Sequence, residues 1–181
     1  MNKPNLDELR KLISTSEPPY LGPETRSGTE SLAALNQKLI ALIDSWPEQT
    51  RRKIQAAVLL WHDHLDASHT IAQNLPDSDG SYLHGILHRR EPDYGNAKYW
   101  FHRVGKHPAF VELARRVAAL LKSKNDRALE TKFLPRGEWD PFAFIDACEA
   151  AANGRIADSQ AEILRAIQRV EIELLLERLA T

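Results

Sequence analysis

The chain has 181 residues, and its 24 Lys and Arg against 25 Asp and Glu leave a formal net charge of −1. This length is enough for one sizeable hydrophobic core, and contents of 43% hydrophobic and 27% charged residues are ordinary for a globular protein. The near-neutral charge argues against a nucleic-acid partner, because contact with a phosphate backbone requires a basic excess.

The sequence also argues against a membrane partner and against disulfide bonds. The start, "MNKPNLDELRKLI", lacks the apolar core of a signal peptide, and the apolar run "AAVLLW" at 56–61 is too short to cross a bilayer. Cys148 is the only cysteine and therefore has no partner within the chain. Together these features predict a cytoplasmic protein.

The N-terminal part reads as an arm followed by a linker. Leucines at helical spacing predict a helix over residues 5–13 with Asn5 as its cap. Residues 14–29 are rich in Pro, Gly and Ser, which is typical of a linker. We therefore expect an arm and linker over 1–29, with the helix docked on a single all-α domain that covers 30–181.

The remaining elements are also expected to be helical, because no segment shows the period-two alternation of a strand. The apolar periodicity and the Pro and Gly breaks predict helices at about 30–45, 47–62, 65–75, 81–91, 95–105 and 108–122. Ser45 and Glu48 have capping-box spacing around Pro47, and Ser159 and Glu162 have it before the last helix. Residues 123–139 read as a long connection, after which Asp140-Pro141 opens a helix that Asn153-Gly154 closes.

One stretch resembles a known repeat. The positions that carry the resemblance are Gly85, His88, Ala97 and Phe101, with Pro108 near the usual end of the repeat. Their spacing is similar to that of tetratricopeptide repeats, and "DYGNAKYWFHRV" also resembles the second helix of a Sel1-type repeat. The resemblance implies antiparallel helical hairpins and a surface for a protein partner, and it names no catalytic residue.

Two weaker resemblances accompany this one. The earlier segment "AAVLLWHDHLDASHTIAQNL" resembles another such hairpin, with either Ala67 and Ile71 or Ser68 and Ala72 in the matching places. The run "HGILHRREPDYGNAKYWF" looks like one shared by an uncharacterised protein family, which implies no function. The repeat resemblance covers about a third of the chain, and no tandem array follows it.

All seven histidines lie between positions 62 and 107, and some of them have metal-ligand spacing. His84 and His88 are one helical turn apart, as are Asp66 and His69, so each pair shares a helix face. If the two helices are antiparallel neighbours, these four side chains converge into a site for zinc, iron or manganese. The alternative is that the imidazoles are buried between helices and hydrogen-bonded without a metal.

Known metalloenzyme motifs do not extend this prediction. "HGILH" has metalloprotease-like histidine spacing, but Gly85 stands where the catalytic glutamate would be. His62-Asp63 resembles the pair of His-Asp metal phosphohydrolases, yet no histidine precedes it as that family requires. The remaining histidines, His62, His64, His102 and His107, are expected at helix ends or on the surface.

Basic and aromatic residues follow the histidines and suggest an anion site. Arg89 and Arg90, with Lys98 and Arg103 on the next helix, would grip a carboxylate or phosphate, although a solvated group of ion pairs explains them as well. Phe101 is assigned to the core, so either Tyr99 or Trp100 should line the cleft.

The sequence therefore leaves three functions open. The first is a small-anion site lined by His69, His84, His88, Arg89, Arg90, Lys98, Tyr99 and Trp100, with or without a divalent metal held by Asp66, His69, His84 and His88. The second is a protein-interaction scaffold, and the third is a metal-dependent hydrolase of a phosphate or carboxylate compound. The apolar end of the last helix makes a second copy of the chain one candidate partner.

Overall fold

The computed structural model describes residues 6–181, and all of their regular structure is helical. The helices are α1 (Leu6–Leu12), α2 (Leu32–Ile43), α3 (Glu48–Trp61), α4 (Leu65–Ala72), α5 (Ser78–Arg90), α6 (Tyr94–Val104), α7 (Ala109–Ser123), α8 (Arg127–Phe133), α9 (Pro141–Ala152) and α10 (Asp158–Leu179), with a 3-10 turn at Pro135–Gly137. The predicted all-α class is confirmed, while the Asn5 cap lies outside the described residues.

Short polar side chains cap the N-termini of several of these helices. Asp140 accepts hydrogen bonds from the backbone N–H groups of Phe142 and Ala143, as the Asp-Pro signal predicts. Asp93 caps α6 in the same way. The two predicted capping boxes do not form: Pro47 and Ala157 occupy the N-cap positions of α3 and α10, and neither offers a side-chain acceptor.

The predicted long connection contains a helix that the periodicity did not reveal. Helix α8 has only seven residues, and two side chains one turn apart, Leu129 and Phe133, reach the core. Asp126 caps it by accepting from the N–H of Leu129. With so few turns, the apolar stripe is too short to stand out from a loop.

Helices α3 and α5 form the centre of the molecule. Every residue of α3 from Ala56 to Trp61 is buried, and so is every residue of α5 from Gly80 to Arg90. Helix α3 packs against α2, α4, α5 and α10, while α5 also contacts α4 and α6. A helix that is enclosed on all sides must bury its polar side chains as well, and this brings histidines and arginines into the interior.

The α5–α6 pair packs at close range through a glycine. A Cβ atom placed on Gly85 would lie 2.7 Å from Cδ2 of Phe101, so only glycine fits this approach. Phe101 and Ala97 are both buried at this contact, as the sequence predicts. The close approach also fixes α6 beside the histidines of α5.

The predicted linker lies along the domain, held by what we call the strap site, which consists of Arg26, His62, Asp63 and Arg90. The Asp63 carboxylate accepts from Arg26 Nε at 2.8 Å and from Arg90 Nη2 at 2.7 Å, and all three side chains are almost fully buried. Arg90 also donates to the carbonyl oxygen of Gly22. Buried charges are therefore paired here with both side chains and backbone.

Within residues 6–181, none of the helices combines the length and the apolar character that crossing a bilayer would require.

Candidate functional site

Helices α4 and α5 bring three imidazoles together, and we call His69, His84 and His88 the histidine cluster. The ring centroids of His69 and His84 are 4.5 Å apart, those of His69 and His88 are 4.9 Å apart, and those of His84 and His88 are 4.7 Å apart. One ring nitrogen from each residue lies within 4.8 Å of the other two. The predicted convergence of these three histidines is confirmed.

Burial around the cluster is uneven. The indole of Trp100 stacks on His84, with centroids 3.9 Å apart, and covers that ring from the α6 side. His84 and His88 are 4% and 6% exposed, whereas the His69 side chain keeps 31% of its surface in solvent. The cluster therefore opens to solvent at its His69 edge, which offers an entry path for a small ion.

A hydrogen bond links His69 to His84, and polar contacts connect the cluster to Glu91 and Asn96. The Nε2 atoms of His84 and His69 are 2.7 Å apart. The two carboxylate oxygens of Glu91 lie 3.2 Å from Nδ1 of His69 and 3.1 Å from Nδ1 of His88. The side-chain nitrogen of Asn96 is 3.1 Å from Nε2 of His88.

The environment of His84 and His88 favours their neutral forms. Burial, reinforced by the neighbouring imidazoles of His69 and His88, lowers the pKa of His84 to about 4. Burial also lowers the pKa of His88, although the carboxylate of Glu91 opposes that shift. A neutral imidazole is the form that binds a metal ion, so the lowered pKa values of His84 and His88 favour metal binding.

One atom of the cluster has no partner. Nδ1 of His84 is buried and forms no hydrogen bond with any described residue. An unsatisfied buried nitrogen costs free energy, and such atoms are uncommon in folded proteins. The packing of the cluster therefore does not satisfy all its own polar atoms.

Asp66, the predicted fourth ligand, lies elsewhere. It is exposed on α4, and the group of side chains near enough to share an ion contains the three histidines without it. Asp66 is three residues from His69, but α4 turns its His69 face toward α5. Glu91 provides the nearby carboxylate instead. Its spacing of one helical turn from His88 was the available signal.

The predicted arginine cradle does not form, because Arg89 and Arg90 are fully buried and paired inside the protein. Arg89 forms an ion pair with Glu171 of α10 at 2.5 Å and donates to Gln168 at 3.2 Å. Arg90 belongs to the strap site. Arg89 and Arg90 therefore form neither an open anion site nor a group of solvated ion pairs. Because they are consecutive on a buried helix, their side chains point to different partners in the interior.

The remaining predicted ligand-binding residues lie around or beyond the cluster. Trp100 covers His84, whereas Tyr99 is 54% exposed and contacts the Trp100 ring edge. Lys98 pairs with Asp146 at 2.6 Å on the surface. The Arg103 guanidinium lies 5.2 Å from the centroid of the Trp100 ring.

The other histidines separate into surface and structural ones. His102 is exposed and its ring lies against Phe142. His62 and His107 lie next to helix ends as predicted, but both are buried and hydrogen-bonded, His62 to the Leu12 carbonyl and His107 to Asp79. His64 contacts the carbonyl of Glu30.

No family model, curated protein or solved structure matches this chain, so the geometry alone must indicate its chemistry.

The donor set favours particular metals. Imidazole nitrogens suit zinc, copper, nickel, cobalt and iron, whereas magnesium and calcium require oxygen ligands. Nitrogens about 2.1 Å from a zinc ion stand roughly 3.4 Å apart, so small side-chain adjustments would bring three nitrogens, now within 4.8 Å, to that distance. Three protein ligands leave a further coordination position for water or an anion.

Proposed function

We propose that this protein binds a divalent transition metal of the zinc class through His69, His84 and His88. The observation that carries the proposal is that two helices bring three imidazoles together, with one nitrogen of each within 4.8 Å of the others. Three converging imidazoles without a metal leave a buried nitrogen unpaired, and a bound ion would give the cluster a common partner.

The proposal retains the small anionic ligand that the sequence suggested, but changes how it would be held. With Arg89 and Arg90 committed to buried ion pairs, an anion would be bound by the metal at its open position. A metal-bound water that loses a proton would be the nucleophile of the hydrolase version. The supporting features are the solvent-facing edge at His69 and Arg103 near Trp100.

Metal titration of matched variants tests this function. Wild-type protein, purified without a metal-affinity tag and treated with chelator, should bind about one zinc ion in calorimetry. H84A should lose most of that affinity, and H84A/H88A should lose it completely. H102A is the control, because it removes an exposed imidazole outside the cluster and should bind as the wild type does.

The spectrum of bound cobalt provides a second measurement of the same site. A tetrahedral cobalt spectrum that changes when phosphate or acetate is added would support the open position for an anion. Wild-type protein that binds neither zinc nor cobalt at micromolar concentrations would contradict the proposed function, whatever the variants do.

A second candidate function is a helical scaffold for a protein partner. The close Gly85–Phe101 contact between α5 and α6 is the packing that the tetratricopeptide resemblance implies, and it supports a hairpin of that kind. A second copy of the chain is the partner that can be tested directly. Sedimentation equilibrium that shows only monomer up to high concentration would count against a homotypic scaffold.

A further inference from the structure

Glu91 occupies a particular position beside the histidine cluster. It is the residue directly after α5, and its backbone N–H still bonds to the carbonyl of Leu87, so its side chain is held next to the last turn. One carboxylate oxygen reaches His69 and the other reaches His88. A single acidic group therefore joins imidazoles from two different helices.

The acidic charge of Glu91 has no other strong partner. Among residues 6–181, its ion-pair contacts go to these two imidazoles, while the preceding arginines pair with Glu171 and Asp63. The Glu91 side chain is 25% exposed, so water does not fully solvate it. Holding the imidazoles is thus the interaction that the structure provides for this carboxylate.

The carboxylate determines where the protons of these two rings lie. An ionised carboxylate only accepts hydrogen bonds, so Nδ1 of His69 and Nδ1 of His88 must each carry the proton. The Nε2 atom of each ring then carries a lone pair that accepts a hydrogen bond in this structure. The side-chain nitrogen of Asn96 lies 3.1 Å from Nε2 of His88, nearer than the 3.4 Å to Nδ1, and Nε2 of His69 faces Nε2 of His84.

His84 is left in the complementary state. With Nε2 of His69 accepting, Nε2 of His84 must donate, and its Nδ1 then has a lone pair with no partner. The three rings therefore carry three lone pairs that an ion could bind. Glu91 sets the positions of those on His69 and His88, which accept hydrogen bonds in the metal-free protein, and His69 sets the position of the one on His84.

We infer that Glu91 is the positioning residue of the metal centre, which fixes His69 and His88 as the tautomers whose Nε2 atoms bind the ion. This inference rests on the proposed function. A carboxylate behind a ligating imidazole orients the ring and raises its basicity, and loss of such a partner typically weakens metal binding about 10–100-fold.

The test compares E91Q with D93N. E91Q keeps the shape but can accept from only one of the two imidazoles with its amide oxygen. D93N removes an equal charge at a carboxylate that is 4.0 Å from Nδ1 of His88, and its amide oxygen can still cap α6. Zinc affinity, measured by competition with a chromophoric chelator, should fall about 10–100-fold in E91Q and by less than about threefold in D93N.

Nitrogen-15 NMR of the imidazoles in metal-free protein gives a readout that a purely structural role would not move. Wild-type and D93N protein should show His69 and His88 protonated at Nδ1, while E91Q should show at least one of them protonated at Nε2 or exchanging. Normal tautomers with unchanged zinc affinity in E91Q would overturn the role of Glu91 while the proposed function stands. Wild-type protein that binds no zinc would overturn both.

Discussion

The strap site and the histidine cluster both bury polar side chains, but they satisfy them differently. At the strap site, the Asp63 carboxylate meets two guanidinium groups, and the spare donors of Arg90 reach the carbonyl oxygens of Leu60 and Gly22. In the histidine cluster, the imidazoles mainly face one another, and Nδ1 of His84 has no hydrogen-bond partner among residues 6–181. The two sites are neighbours in the chain, since His88 and Arg90 lie on the same helix, α5.

The difference indicates which site is structural. A buried network in which every charge and donor has a partner within the protein favours one conformation and needs no ligand. A group of like side chains with free lone pairs is unfavourable alone and becomes favourable when a cation joins them. The strap site holds residues 14–31 against the helices, and the cluster is the site for which we propose metal binding.

The largest expected effect comes from breaking the strap site. D63A leaves Arg26 and Arg90 buried without their counter-ion, which should lower the free energy of unfolding by about 3–5 kcal/mol. Urea unfolding measures it. The control is D44A, whose carboxylate forms an ion pair with Arg51 at 3.0 Å but is 77% exposed, so about 0–1 kcal/mol is expected. Equal effects would show that the strap site is not a stabilising network.

The next effect should appear only at the histidine cluster. Free zinc at 100 times its Kd should stabilise wild-type protein by about 2.7 kcal/mol. For a chain of this size that corresponds to a rise in Tm of roughly 5–10 °C. Zinc should not raise the Tm of H84A. H62Q changes a histidine of the strap site, so its Tm without zinc should be lower than that of the wild type, but zinc should still raise it. A zinc effect lost in H62Q and kept in H84A would reverse our assignment of the two sites.

A smaller effect should come from the contact that seats α6 beside the cluster. G85A places a methyl group 2.7 Å from the Phe101 ring, and such overpacking typically costs about 1–3 kcal/mol. G95A, also in a helix but with no atom within 4 Å of the added Cβ, should gain up to about 1 kcal/mol. Thermal unfolding of G85A and G95A measures both changes in stability. Stabilisation by G85A would mean that the two helices do not approach so closely.

The smallest expected effect is that the stability contributed by His62 at the strap site depends on pH. Nδ1 of His62 accepts from the Glu30 N–H at 3.1 Å, so Nε2 must carry the proton that is donated to Leu12 O at 2.7 Å. Burial lowers the pKa of His62, with Glu30 opposing the shift and Arg26 and His64 adding to it. Because the folded pKa is depressed, this stability is present above about pH 6.5 and is lost as the pH falls through the folded value.

Hydrogen exchange at the Glu30 amide measures this local effect. After correction for the intrinsic rate, protection of that amide should decrease between pH 7.5 and pH 5.5 in wild-type protein and change much less in H62Q. Constant protection in the wild type would show that protonation of His62 does not loosen the strap.

Sequence reasoning recovered most helices and the convergence of the three histidines, because both follow from short-range spacing. His84 and His88 share a face of α5 at any position in a fold, and a short loop returns the chain so that His69 faces them. It missed α8, whose two core contacts are too few to form a pattern, and it placed Asp66 in the site. The helix face was inferred from spacing alone, and Asp66 falls at its exposed edge.

The partners of the charged residues could not be predicted in this way. Arg89 pairs with Glu171, and Arg90 pairs with Asp63, across large separations in the chain. The last helix buries Glu171, which pairs with Arg89. Such pairs depend on which helices pack together, and this is not encoded in the local sequence pattern.

The sequence by itself determined that this chain is helical, where most helices begin and end, and that its histidines are concentrated in one region, because these depend on backbone preferences and periodicity over a few turns. Only the tertiary structure decided which polar residues are satisfied internally and which face each other. Complete enclosure of α5 directs Arg89 and Arg90 to interior partners and leaves His84, His88 and Glu91 at the α4 side. That choice depends on three-dimensional packing, and it separates the structural polar residues from those proposed to bind a metal.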